Sequence, residues 1–159
     1  MGLSTAAVYA AVFLSLDCEL LIHLPVVVAM VNADIDVAKA MKDHNTTVTI
    51  VVFANYARIA CDGKGREIKG VDPQTLQHMT QNDYKPNGMT ALFDGVKLAI
   101  ESLQSLPGAH NPDTSYLVKV VTDGQENQST YKQRAIAMMA QLANDDRWTF
   151  AFALPRGFK

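Results

Sequence analysis

A three-layer α/β sandwich, with a mostly parallel sheet, one antiparallel strand and helices on both faces, is the fold class this sequence of 159 residues predicts. Three observations predict it. Short apolar, β-branched runs alternate with stretches of helical period, in the order strand, helix, hairpin, helix, strand, helix, strand. Two of the apolar runs stop abruptly at an aspartate, as strands do where the chain leaves a sheet for a loop. The 48% apolar content is enough for one core, and no repeat, low-complexity tract or linker divides the chain, so residues 1–159 read as a single domain.

The first strand is residues 8–16, rich in Val, Phe and Leu on both faces and ending at Asp17. The apolar stretch 6–16 that contains it has no Lys or Arg ahead of it and is shorter than the ~20 residues that span a bilayer, so it reads as a buried strand. Pro25 suits the first turn of a helix whose apolar side is Val26, Val27, Met30, Val31, Ala33, Ile35, Val37, Ala38 and Met41, with Lys39 and Lys42 near its end. Residues 47–54 form the second strand, and 56–61 return beside it as a hairpin. Gly63-Lys64-Gly65 is a turn and lacks the spacing of a phosphate loop. Residues 66–71 read as a short edge strand, and Asp72-Pro73 opens a brief helix to about residue 79.

A polar loop, 80–88, leads to a helix from Thr90 that carries Leu92, Phe93, Val96, Leu98, Ala99, Ile100 and Leu103 and ends before Pro107-Gly108. Thr90 stands at or near its N-cap, where a hydroxyl can accept a backbone hydrogen bond. Residues 117–121 form a buried strand that Thr122-Asp123-Gly124 turns out of the sheet. Ser129 or Thr130 then caps a helix with Ala135, Ile136, Met138, Met139 and Leu142 on its apolar side, and 147–154 form the last strand.

Composition excludes several functions. Fourteen basic and sixteen acidic residues leave a net charge of -2, with no basic block to follow a phosphate backbone, so nucleic acid is not the expected partner. Cys18 and Cys61 are too few for a disulfide scaffold or a thiolate zinc site; two buried thiols in a reducing, cytoplasmic compartment are expected. His23, His44, His78 and His110 are scattered and read as loop or solvent histidines. No Ser-His-Asp arrangement can be placed, and Cys18 has no histidine nearby but His23, so the chain is not expected to be an enzyme.

If the sheet is mostly parallel, Asp17 and Asp123 lie at carboxyl ends of strands and Thr90 begins a helix at the same edge. That edge is where open α/β sheets bind ligands. Oxygen ligands there suit a hard cation such as magnesium, manganese or calcium.

These residues resemble a von Willebrand factor A domain, a Rossmann-like family. Its pattern is Asp-x-Ser-x-Ser after the first strand, a Gly-Gly-Thr-like segment, and Thr-Asp-Gly after a later strand. The segment from Asn87 to Asp94 is similar to the second part, and Val121-Thr122-Asp123-Gly124-Gln125-Glu126-Asn127 to the third. Tyr84-x-Pro86-x-Gly88 and Arg147-Trp148-Thr149-Phe150 are similar to the bacterial and phage single-domain branch. The resemblance implies a metal-ion-dependent adhesion site, with Asp17, Thr90 and Asp123 as ligands and Gly88, Met89, Gly124 and Glu126 beside the partner.

Two departures qualify it. The first motif reads Asp17-Cys18-Glu19-Leu20-Leu21, so the aspartate is present and both ligating serines are missing. Glu19 adds a carboxylate, but the implied magnesium or other divalent cation is expected to bind weakly or not at all. The family's further helix, strand and helix do not follow residues 147–154 in this sequence, so an open sheet edge is expected to pair with another chain or a second copy.

The expected function is therefore a protein-interaction module that receives a partner, through an acidic group, at a rim formed by residues 17–21, 88–90 and 123–129. The alternative is a divalent-metal-dependent three-prime exonuclease, because Leu16-Asp17-Cys18-Glu19 also resembles the first motif of those enzymes, with Asp94 and Asp123 as further ligands. The missing His-x-x-x-x-Asp segment and the lack of basic excess weigh against it.

Overall fold

The computed structural model describes residues 8–15, 24–41, 46–53, 56–80, 91–109, 111–122 and 129–153. Within them, five strands form one sheet: β1 (Val8–Ser15), β2 (Thr47–Phe53), β3 (Ala57–Ile59), β4 (Ser115–Thr122) and β5 (Trp148–Ala153). Their spatial order is β3-β2-β1-β4-β5, and only β3 runs antiparallel to its neighbour. Three helices complete the sandwich: α1 (Leu24–Ala40), α2 (Leu92–Gln104) and α3 (Lys132–Leu142).

The faces follow from the order of the crossovers. The chain steps from β1 to β2 in one direction across the sheet, and from β2 to β4 and β4 to β5 in the other. Because parallel crossovers share one hand, α1 must cover one face and α2 and α3 the opposite one. The side chains of β2 record this by alternation. Val48, Ile50 and Val52 belong to the core with Val27, Val31, Ile35 and Ala38 of α1, while Val51 and Phe53 belong to the core with Val96, Ala99, Ile100 and Leu103 of α2. In β4, Tyr116, Val118 and Val120 face α2 and α3, and Val121 joins the α1 side. Lys119, between them, reaches Asp34 of α1 at 2.8 Å.

Several local expectations are corrected. Residues 66–71 form no strand of their own; they fold back through isolated bridges, Val48 to Val71 and Cys61 to Glu67. The helix after Asp72 is a single 3-10 turn, Pro73–Thr75, after which the chain extends because α1 claims its hydrogen bonds. Asn32 both accepts from the Met79 backbone amide at 2.7 Å and donates to its carbonyl at 2.9 Å, and the Gln74 side chain donates through Nε2 to the Lys39 carbonyl at 2.7 Å. Cys61 is exposed, because it stands beside the tip that Asp62 closes by accepting from the Lys64 and Arg66 amides. His78, on the surface, pairs with Asp36 at 2.7 Å. Val26 and Val37 of α1 are exposed, since the helix offers the sheet only one side. No helix among the described residues is long and apolar enough to cross a membrane.

A candidate binding rim at the carboxyl ends of the central strands

β1 and β4 are neighbours at the centre of the sheet, parallel and in register from Val8 opposite Ser115 to Ser15 opposite Thr122. Their carboxyl ends therefore finish side by side, about 5 Å apart across the ladder. From these ends the chain departs to opposite faces, toward α1 after β1 and toward α3 after β4. In open α/β sheets such a switch in direction marks the edge where ligands bind.

The start of α2 is at the same edge. Gly95, in its first turn, packs on Phe53, the last residue of β2, so closely that a Cβ at Gly95 would lie 2.8 Å from Phe53 Cδ1. Phe53 is fully buried, so this contact sets the position of the helix's amino end.

All the sequence-predicted site residues, Asp17, Glu19, Gly88, Met89, Thr90, Asp123, Gly124 and Glu126, lie outside the described residues. So do Cys18, His23, His44 and His110. The structure places their chain neighbours: Ser15 two residues before Asp17, Thr122 directly before Asp123, and Ala91 directly after Thr90. The three segments that carry the predicted ligands thus leave or enter one edge of the sheet.

Two residues that sequence reasoning missed in these roles tie that edge together. The N-cap position of α2 is Ala91, with no side-chain cap of its own, and Thr90, expected at or near the N-cap, lies outside the described residues. Ser129 Oγ accepts from the Phe93 amide at 2.8 Å and the Asp94 amide at 3.3 Å. In return the Asp94 carboxylate accepts from the Tyr131 amide at 2.7 Å and the Thr130 amide at 2.9 Å. Ser129, expected to cap its own helix, caps α2, and α3 begins at Lys132 without a side-chain cap. The available signal was the pattern at α2 itself, an acidic N3 residue with no hydroxyl at the N-cap, which is half of a capping box.

The opposite, amino-terminal edge has a cavity of about 310 Å³ among Gln104, Tyr116, Leu142, Asp145, Arg147 and Trp148. Tyr116 and Trp148 stack there with centroids 4.0 Å apart. Hydrogen bonds from the Arg147 side chain and backbone hold the Asp145 carboxyl below its usual range, and the pair in turn raises Arg147. The guanidinium donates to Asp145 and to the Asn111 carbonyl, a structural closure of the loops at that end.

No family model matches the sequence, and no curated protein matches it. Solved structures match the fold. Proximal thread matrix protein 1 from the mussel byssus superposes with a TM-score of 0.63 at 17% identity, over 94% of this chain and 38% of its own. A von Willebrand factor type A protein from Catenulispora acidiphila gives 0.59 at 14% identity, over 95% and 33%. Manganese-loaded TRAP protein from Plasmodium vivax gives 0.60 at 17% identity, over 98% and 59%. The chain spans less than two thirds of the length of each of these proteins.

Proposed function

On a chain with the von Willebrand factor A fold, we propose a protein-interaction module that binds its partner at the carboxyl-end rim, with a divalent-cation site that is weakened or lost. The observation that carries this reading is the adjacency of the ends of β1 and β4 at the switch point, with the start of α2 at the same edge. The donor set Asp17, Glu19, Thr90 and Asp123 is all oxygen and fits magnesium or manganese by type, while the missing serine hydroxyls leave it poor. An acidic partner group is proposed for the rim where a cation is held, since the rim's own Asp17, Glu19 and Asp123 repel one without it.

Binding rather than catalysis is proposed. The exonuclease alternative calls on Asp94 as a ligand, yet both of its oxygens already accept backbone amides. A second contact is proposed at β5, which among the described residues pairs with β4 alone. Sedimentation at high concentration tests it, a strictly monomeric chain refuting it.

Two measurements test the rim. The thermal midpoint in 10 mM magnesium or manganese against EDTA reads the cation: a Kd near 0.1 mM would add about 2.7 kcal/mol, or very roughly 5–10 °C for a domain of this size. The expected shift is below about 1 °C. Panning a library of natural protein segments against the wild-type chain reads the partner: the selected peptides should lose binding to Asp123→Ala and keep it to Arg66→Ala. Peptides indifferent to Asp123→Ala would remove the rim from the proposal.

A further inference from the structure

Ser129 and Asp94 belong to two segments that are about 36 residues apart in the chain, and each satisfies the amides of the other. In an ordinary capping box both exchanges occur within one helix and steady only that helix. Here the hydroxyl comes from the segment leading into α3 and the carboxylate from the first turn of α2, so the exchange joins two elements. Two of the four bonds are to a carboxylate, the stronger kind. The same two stretches are crossed again by cation–π contacts, Lys97 Nζ lying 4.7 Å from the Tyr131 ring centroid and Lys132 Nζ 5.4 Å from that of Phe93.

The position of this exchange gives it a consequence. Thr90 lies three residues before Phe93, and residues 123–128 run directly into Ser129. The α2 side is itself immobilised, because Gly95 is seated against buried Phe53. The described residues that adjoin the two rim segments are thus joined by the protein's own hydrogen bonds. We propose that Asp94 and Ser129 are positioning residues: their reciprocal cap holds the start of α2, which follows Thr90, against the entry to α3, which follows residues 123–128, without a shared cation. The proposal rests on the rim reading for its functional meaning and stands on the geometry for its mechanical part.

Amide hydrogen exchange on the full chain separates the two. Exchange at Phe93, Asp94, Thr130 and Tyr131 should be the same in EDTA and in manganese. In Asp94→Ala it should rise about tenfold or more at position 93 as well as at Thr130 and Tyr131, although Ser129 is intact. Ser129→Ala should likewise release Thr130 and Tyr131, and Ser129→Thr, which keeps the hydroxyl, should restore wild-type protection. Faster exchange confined to the amides that lost their direct partner, or wild-type protection that depends on manganese, would overturn the clamp whatever the rim binds.

The peptides selected above give the functional half. They should bind Ser129→Ala about tenfold more weakly and Ser129→Thr as the wild type. If Asp123→Ala abolishes their binding while Ser129→Ala leaves it unchanged, the clamp does not position the rim. If Asp123→Ala leaves it unchanged, the rim reading fails while the exchange result still decides the clamp.

Discussion

α2 and α3 lie on the same face of the same sheet, yet they are held there by different forces. α2 buries Leu92, Gly95, Val96, Ala99, Ile100, Ser102 and Leu103. α3 buries Ala135 alone, with Met138, Met139 and Leu142 half-covered and Ile136 exposed. Its attachment is polar at both ends, through Asp94 before its first turn and, after its last, through Arg147, which is braced by Asp145 and donates to the Asn111 carbonyl. Burial of apolar surface does not specify orientation closely, whereas a set of directional hydrogen bonds does. A helix fixed by packing supplies a base, and a helix fixed by hydrogen bonds can be set against it at a defined angle. That is a suitable construction for a rim whose geometry matters.

If this contrast is right, substitutions in the two helices should differ in size and in kind. Ile100→Ala, at a fully buried position of α2, should cost about 2–5 kcal/mol in chemical denaturation. Asp94→Ala should come next, at about 1–3 kcal/mol, since it removes two amide bonds to a carboxylate. An unchanged midpoint for this variant would mean that α3 is held by packing after all. Gly95→Ala sharpens the point: helix propensity alone would stabilise by about 1 kcal/mol, but overpacking against Phe53 should reverse the sign to a net loss of about 1 kcal/mol. The Asp145 carboxyl, held low by Arg147, should add a small increment. Its folded pKa is below the unfolded one, so the increment is present above about pH 4 and is lost as pH falls through the depressed value. Comparing Asp145→Asn with wild type across acid denaturation should show the two curves converging at low pH. Ile136→Gln should be nearly silent, within about 0.5 kcal/mol; a large loss would show that α3 packs more apolar surface than its exposure implies.

The elements themselves were legible because their signals are local. The β-branched run at 117–121 and the apolar spacing from Leu92 to Leu103 announced β4 and α2 to within a few residues. The antiparallel member of the sheet could also be read, from the short break between Phe53 and Ala57 that leaves room only for a hairpin. Ile136 was misplaced because a helical stripe shows which side is apolar without showing how much of it another element reaches. Cys61 was expected to be buried for the analogous reason, its apolar neighbours on one side saying nothing of the turn at Asp62.

The candidate site divides in the same way. Its first ingredients, two aspartates that terminate apolar runs and a threonine before a helix, were visible as residues, and so was the loss of the serines after Asp17. Their common edge was an inference from strand order, which is decided by crossovers dozens of residues long. The link between Ser129 and α2 had only the half-box at Asp94 as a local trace, and nothing local named Ser129: a hydroxyl near a helix start can serve any amide within reach, and the helix nearest to it in sequence is not the one it caps.

Sequence alone thus determined the alternation of strands and helices, because each depends on the period of side chains a few residues apart. Tertiary structure decided which strands became neighbours, which helix Ser129 caps and how deeply α3 is buried. Those outcomes depend on the distances between groups remote in the chain, and such distances exist only once the chain has closed on itself.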